Sequence, residues 1–196
     1  MVSGMDADPI QRFSALYELA KKSYPEEPNA AVLATIGGDG RPSARVVLVK
    51  GFGPEGFVFY TNLESRKGRD LRVHPTAALC FYWPKLHQQV RIEGRVQQVP
   101  DAEADAYFAT REPGSQLGAW ASAQSSPLPS REELERRVEE LAKRYAGKPI
   151  PRPPFWSGFR LNPDRIEFWT GRPNRLHDRI LFRRTDGTWS TELLYP

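Results

Sequence analysis

At 196 residues, 39% hydrophobic and 27% charged, the chain has the makeup of a soluble globular protein able to bury a core, one domain with or without helical additions. Its net charge of +4, from 28 Lys and Arg against 24 Asp and Glu, is scattered along the chain, which argues against nucleic-acid binding and suits small phosphorylated ligands. Cys80 is the only cysteine, which excludes an intrachain disulfide and a thiolate metal cage. No apolar run nears the roughly 18 residues that span a bilayer, and Met1-Val2-Ser3-Gly4-Met5-Asp6 lacks a secretory signal, so no membrane partner and a cytoplasmic location are expected.

Asp8-Pro9 reads as an N-cap followed by proline at the first helical position, and Ile10, Phe13, Leu16, Tyr17 and Ala20 recur at helical spacing, predicting a helix over 8–23. After Pro28 the pattern becomes extended: Ala31–Ile36, Ser43–Lys50, Phe57–Thr61, Ala77–Trp83 and Gln89–Val99, rich in Val, Leu, Phe and Tyr. Gly37-Gly38-Asp39-Gly40 and Gly51-Phe52-Gly53-Pro54-Glu55-Gly56 look like hairpin connections. A helical insertion over 101–146 follows, with helices expected at Asp101–Thr110, Ser115–Ser122 and from Ser130 to about Tyr145, where Ser130 and Glu133 fit a capping box. Pro149, Pro151, Pro153 and Pro154 make a stiff spacer. Strands return at Phe155–Leu161, Arg165–Thr170, Arg179–Arg184 and Thr188–Leu193, the last two joined by a type I′ turn at Asp186-Gly187. Closely spaced strands of this kind predict an antiparallel β-barrel or sandwich, and the reading settles on one β-barrel domain over 1–196 with helices inserted and appended.

Three clusters could carry chemistry. In the first, Arg45-Val46-Val47-Leu48-Val49-Lys50 puts two cations five residues apart on a strand. They leave on opposite faces unless a bulge or the strand end intervenes, and an edge strand with charged ends gives the same pattern. Ser65-Arg66-Lys67 then opens a helix, where hydroxyl, guanidinium, ammonium and free backbone N–H groups form an anion site. In the second, Tyr107 and Arg111 share one helix face, and Ser115 follows the break at Pro113-Gly114. That is a phosphate-sized donor set, although a surface helix with an ordinary end reads the same way. In the third, Arg175, His177 and Arg179 alternate and share a face if the segment is extended. Three cationic groups there would repel unless an anion or carboxylate lies between them. His74 and His87 have no comparable context. No metal-ligand spacing, phosphate-binding Gly loop, dinucleotide fingerprint or nucleophile elbow occurs, so no metal is expected. Two anion sites without a metal suggest two phosphorylated ligands.

Taken in order, R-V-V-L-V-K (45–50), F-Y-T-N-L-E-S-R-K (59–67), Q-V-R-I-E-G (89–94), Y-F-A-T-R-E-P-G-S-Q-L-G-A-W-A-S-A-Q-S-S (107–126), F-W-S-G-F-R (155–160) and I-E-F-W-T-G-R-P-N-R-L-H-D-R (166–179) resemble the pyridoxamine/pyridoxine 5′-phosphate oxidase family. Each piece is weak alone, whereas the ordered set is specific and spans nearly everything from Asp8 to Trp189. The resemblance implies a split β-barrel, antiparallel and Greek-key-like, assembled as a homodimer with FMN at the subunit interface. It implies that Arg45, Val46, Val47, Leu48 and Lys50 line the flavin and that Tyr60, Thr61, Arg66 and Lys67 hold its phosphate and ribityl chain. Gln89, Gln124, Ser125, Trp169 and Arg179 would complete that site. Lys50, Tyr107, Arg111 and Ser115 would bind the phosphate of a small pyridine substrate, with Arg175 and His177 covering the ring as the catalytic pair.

The implied reaction oxidises pyridoxamine or pyridoxine 5′-phosphate to pyridoxal 5′-phosphate, with dioxygen as acceptor and hydrogen peroxide released. Two departures from the family pattern stand out: only a few residues precede Asp8, so an N-terminal lid is expected to be absent or short, and Leu193 stands where an arginine is usual. A related flavin oxidase acting on another ring, of the phenazine-biosynthesis type, and a non-catalytic flavin or pyridoxal-phosphate binder are the competing readings.

Overall fold

Helix α1 (Pro9–Ser23) begins where the Asp8 carboxylate accepts a hydrogen bond from Ile10 N at 2.8 Å and proline occupies the first turn. This is the first element of the computed structural model, which describes residues 8–196. The leader reading of Met1–Asp6 and the expected short lid lie outside the described residues. Strand β1 (Ala30–Ile36) turns back as β2 (Pro42–Gly53), and β2 as β3 (Gly56–Asn62), forming an antiparallel meander. The chain then leaves the sheet through helix α2 (Arg66–Val73) and returns as β4 (Thr76–Trp83) beside β1. The order β3-β2-β1-β4 is a Greek key, as expected.

Strand β5 (Gln88–Gln98) pairs with β4, and three helices follow: α3 (Asp101–Ala109), α4 (Pro113–Ala121) and α5 (Arg131–Arg144). Helix α4 starts two residues before the expected Ser115, because Pro113 is pre-set for a first helical turn. The capping box reading of α5 is partly visible, with Ser130 Oγ accepting from Glu133 N at 3.3 Å. Strand β6 (Trp156–Thr170) then closes the barrel by pairing with β5 along one edge and with β3 along the other, from Phe57↔Leu161 to Asn62↔Trp156. Six strands form the closed barrel, and β7 (Asp178–Thr185) and β8 (Thr188–Leu193) extend from the far half of β6. The turn at Asp186-Gly187 has φ of 49° and 81°, the two positive values a type I′ turn requires.

The two strands expected at 155–161 and 165–170 are one. Pro163, in the gap between the two expected strands, sits where β6 has left β3 and has not met β7, beside a register shift against β5. Bulges and unpaired edges are the sites in a sheet that tolerate a residue with no N–H. Gly94 faces it across the shift, where an added Cβ would come within 2.0 Å of Asn162 O. The barrel interior is filled by Leu33, Phe57, Phe59, Leu79, Phe81, Ile92, Leu161 and Ile166, all essentially without exposure. Phe13 of α1 packs against Phe52, Phe57 and Phe81 with ring centroids 4.8, 4.9 and 5.0 Å apart, edge-on, and so anchors α1 to three strands.

Candidate active site

A cleft of about 680 Å³ opens where β2, β3, the start of α2, and α3–α4 meet. Its lining includes Val46, Val47, Leu48, Lys50, Tyr60, Thr61, Lys67, Tyr107, Arg111, Ser115 and Gln124. The first two predicted clusters, distant in sequence, therefore face one space. A bulge does intervene in β2, since its register against β3 shifts between Val49 and Gly51, but only Lys50 of the two strand cations reaches the cleft. Arg45 turns instead to Thr35 Oγ1 (2.7 Å), Ser43 Oγ (2.6 Å) and Leu33 O (3.2 Å). Arg66 and Ser125 do not line the cleft, and Ser125 takes a φ of 73° just past Gln124.

Near the start of α2, Ser65 is buried and caps the helix by accepting from Gly68 N. Lys67 Nζ donates to Thr61 Oγ1 at 3.0 Å, Gln124 Oε1 at 2.9 Å and Ser65 Oγ at 3.4 Å. These are neutral oxygens, and Lys67 forms no ion pair among the described residues. Burial, with help from the Arg45 charge, brings its ammonium down to about 8. A half-buried ammonium among neutral acceptors, at the N-terminus of a helix, suits an anion that can raise its basicity again.

At the other side, the Tyr107 ring stacks on Tyr60 at 3.9 Å, and the Trp156 ring lies parallel beside both, 5.4 Å from Tyr60 and 6.2 Å from Tyr107. The Arg111 guanidinium lies over the Trp156 ring at 4.9 Å, and its Nη1 is buried without a hydrogen-bond partner. Burial lowers the basicity of Arg111 and raises the pKa of the Tyr107 phenol. A buried guanidinium nitrogen left unpaired is costly unless a ligand oxygen meets it. Sequence reasoning did not single out Asn62, Glu112, Ser122 or Trp156, which also line the cleft. Asn62 Nδ2 donates to Ser122 O at 3.3 Å and so ties β3 to the end of α4. All four lie within the quoted motifs, which was the one signal that could have found them.

Similarity to known proteins runs along the same elements. The family model for pyridoxamine 5′-phosphate oxidase matches residues 20–145, and a model described as the pyridoxine 5′-phosphate oxidase C-terminal dimerisation region matches 156–196. A pyridoxine/pyridoxamine 5′-phosphate oxidase of Myxococcus xanthus (strain DK1622) is 65% identical over 189 residues, 96% of this chain and 92% of its own. The chain belongs to the pyridoxamine 5′-phosphate oxidase family. Its relative of the same description in Rubrobacter xylanophilus is 57% identical, covering 98% of this chain and 89% of that one. Among solved structures, PhzG from Burkholderia lata 383, in complex with tetrahydrophenazine-1-carboxylic acid, superposes with a TM-score of 0.92 at 34% identity, covering 98% and 95% of the two chains. An FMN binding protein related to the family, from Nostoc punctiforme PCC 73102, has the same fold at a TM-score of 0.77 and 22% identity, covering 98% and 100%.

The third cluster lies in the part matched by the family's dimerisation region and does not line the cleft. Gln89 is opposite both Tyr82 and Trp169, and Trp169 is opposite Arg179, so these four share one face of the sheet. The extended conformation on which a shared face of Arg175, His177 and Arg179 depended is not adopted: Pro173–Arg175 is a 3₁₀ turn, and β7 starts at Asp178. Asn174 and Arg175 both take left-handed backbone, φ 58° and 60°, which breaks the alternation. His177 is set by its Trp169 neighbour, ring centroids 4.6 Å apart, and its Nδ1 accepts from Arg172 N at 3.1 Å. Arg179 forks onto the buried Glu167 carboxylate at 2.8 and 3.1 Å, which supplies the negative group that crowded cations need. Arg175 is exposed, and left-handed backbone in a non-glycine residue often marks a functional position.

Proposed function

We propose that this chain, as a homodimer, binds FMN and oxidises pyridoxamine or pyridoxine 5′-phosphate to pyridoxal 5′-phosphate, with dioxygen as acceptor and hydrogen peroxide released. The observation that carries the reading is a single cleft with two separate anion-holding sets, Lys67 with Thr61 and Gln124, and Arg111 with Tyr107 and Ser115. The half-buried Lys67 and the unpartnered Arg111 Nη1 fit two phosphate groups, one of a cofactor and one of a substrate. Relatives 65% and 57% identical carry this activity in their names.

Lys67, Thr61 and Gln124 would hold the FMN phosphate, with Tyr60 beside them and the β2 backbone at Val46–Leu48 along the ring. Arg111, Tyr107, Ser115 and Lys50 would hold the substrate phosphate and so fix where its 4′ carbon lies. Bound FMN supplies a two-electron acceptor that dioxygen can restore. The residues of this chain orient the substrate and keep its charge matched.

The site as it stands in one chain lacks Gln89, Trp169 and Arg179, which sit on the sheet face that runs from β2 to β7, and Arg175 and His177, which lie in the turn just before β7. On that face Val46 is opposite Val32, which is opposite Cys80, and Val46, Val32 and Tyr82 are 64%, 41% and 59% exposed. Exposed apolar side chains on a sheet face that ends at the cleft suit a second copy. Its Arg175 and His177 would then cover the substrate ring, with Arg175 polarising the reacting group and His177 positioning it. A cytoplasmic location fits: among the described residues no helix is long and apolar enough to cross a membrane.

The deciding experiment adds pyridoxine 5′-phosphate to FMN-loaded protein in air and follows aldehyde and peroxide. Equal amounts of both are expected; neither product would sink the reading. The similarity to PhzG supports oxidation of a larger ring acid as a second reading, which the same assay with tetrahydrophenazine-1-carboxylic acid would reveal.

A further inference from the structure

Behind Lys67 lies a buried polar chain that the proposed reaction does not use directly. Asp70 is 6% exposed on α2, one turn beyond Arg66 and Lys67, and Thr35 is 2% exposed on β1. Thr35 Oγ1 donates to Asp70 Oδ2 at 2.7 Å and accepts from Arg45 Nη1 at 2.7 Å. Arg45 Nη2 lies 3.8 Å from the same carboxylate oxygen. Ser43 Oγ and Leu33 O take further N–H groups of the guanidinium, at 2.6 and 3.2 Å. The Arg45 charge is felt at Lys67, and the Arg66 charge at Arg45, so three cations and one carboxylate form a local group.

The signs are informative. Three positive groups and one negative leave two positive charges, which matches a phosphate monoester carrying about −1.5 to −2 at neutral pH. A carboxylate buried next to an anion site opposes anion binding by its own field, so its presence needs another reason. The geometry supplies one: the chain joins α2, β1 and β2, and it is what holds the Arg45 guanidinium in place.

We propose that Asp70 is a positioning residue of the cofactor-phosphate site, fixing the Arg45 guanidinium through Thr35 so that its charge, from outside the cleft, adds to that of Lys67, which meets the phosphate dianion within it. The inference rests on the FMN reading given above and deepens it. Two effects of Asp70→Asn have opposite signs. Loss of a negative charge alone tightens anion binding, whereas loss of the anchor for Arg45 loosens it.

The test titrates the full chain, freed of flavin, with FMN and separately with riboflavin, which lacks the phosphate. Asp70→Asn is expected to weaken FMN on the order of tenfold, the scale of one misplaced charge-assisted contact, while riboflavin binding holds. Thr35→Val breaks the same chain without removing the carboxylate and should lose FMN to the same extent, with Thr35→Ser restoring it. Because they act through one chain, the two losses should not add in the double variant. FMN bound equally or more tightly by Asp70→Asn, or riboflavin weakened as much as FMN, would overturn the proposal. Wild-type protein with no preference for FMN over riboflavin would remove the phosphate site itself, and both readings with it. A wild-type preference that survives in the variants removes only the role of Asp70.

Discussion

Replacing Arg111 by Met should separate function from stability, with the two moving in opposite directions. In the flavin- and substrate-free protein the buried Arg111 Nη1 has no partner, a condition that costs about 1–3 kcal/mol. Against that stand its placements over Trp156 at 4.9 Å and Phe108 at 5.7 Å, each worth about 0.5–1 kcal/mol. Methionine keeps much of the apolar contact with the rings and removes the orphan donor. The balance lies between about zero and 2 kcal/mol in favour of the variant, and at roughly 2–4 °C per kcal/mol for this chain length the Tm holds or rises by a few degrees. Catalysis should suffer, because a hydrogen bond to a charged group is worth about 1.5–3 kcal/mol, or about 10- to 100-fold in kcat/KM for pyridoxine 5′-phosphate. Calorimetry of the apoprotein and steady-state kinetics of the loaded enzyme check the two halves. A Tm lowered by more than about 4 °C, or an unchanged kcat/KM, would show that the guanidinium is a packing element and not a ligand for phosphate.

Three further outcomes are expected. Lys67, brought down to about 8, is protonated below that pH and neutral above it; an anion favours the protonated form, so FMN affinity should be flat below pH 8 and fall by up to about tenfold per unit above it. Lys67→Met should bind weakly at every pH, and a wild-type profile level from pH 7 to 9.5 would refute the assignment. Mixing and reassociating Arg111→Met with Arg175→Ala subunits should restore activity to about one quarter of wild type, because half the dimers then hold one intact site; no recovery would place Arg175 and Arg111 in the same chain's site. Gly94→Ala should lower stability by at least about 1–3 kcal/mol, since its Cβ would enter the Asn162 carbonyl at 2.0 Å and neither strand can yield; a denaturation midpoint equal to wild type would contradict the close approach.

Local rules made most of the elements legible. Asp8-Pro9, Ser130, Asp186-Gly187 and the alternation of Val, Leu and Phe act over a few residues, so α1, α5 and the hairpins follow from neighbours in the chain. The continuity of β6 through Pro163 was not legible for the same reason, because the cost of a proline there depends on which edge of β6 is paired at that point. The candidate site divides along the same line. Lys67 at a helix start and the Tyr107–Arg111 spacing were visible as separate donor sets, while Trp156 gained its role only from what it stacks on.

From its residues alone, this chain determined its punctuation, its donor types and the ordered motifs that resemble a family. What only the tertiary structure decided is which donors meet. Pairing of β3 with β6, together with the return of α3 and α4 over β3, brings Lys67 and Arg111 to one cleft, while the register of β7 on β6 and the turn at Arg175 leave the third cluster outside it. Those pairings join residues up to about a hundred positions apart, and the loop-closing entropy they overcome is repaid by a barrel interior that no single segment can bury.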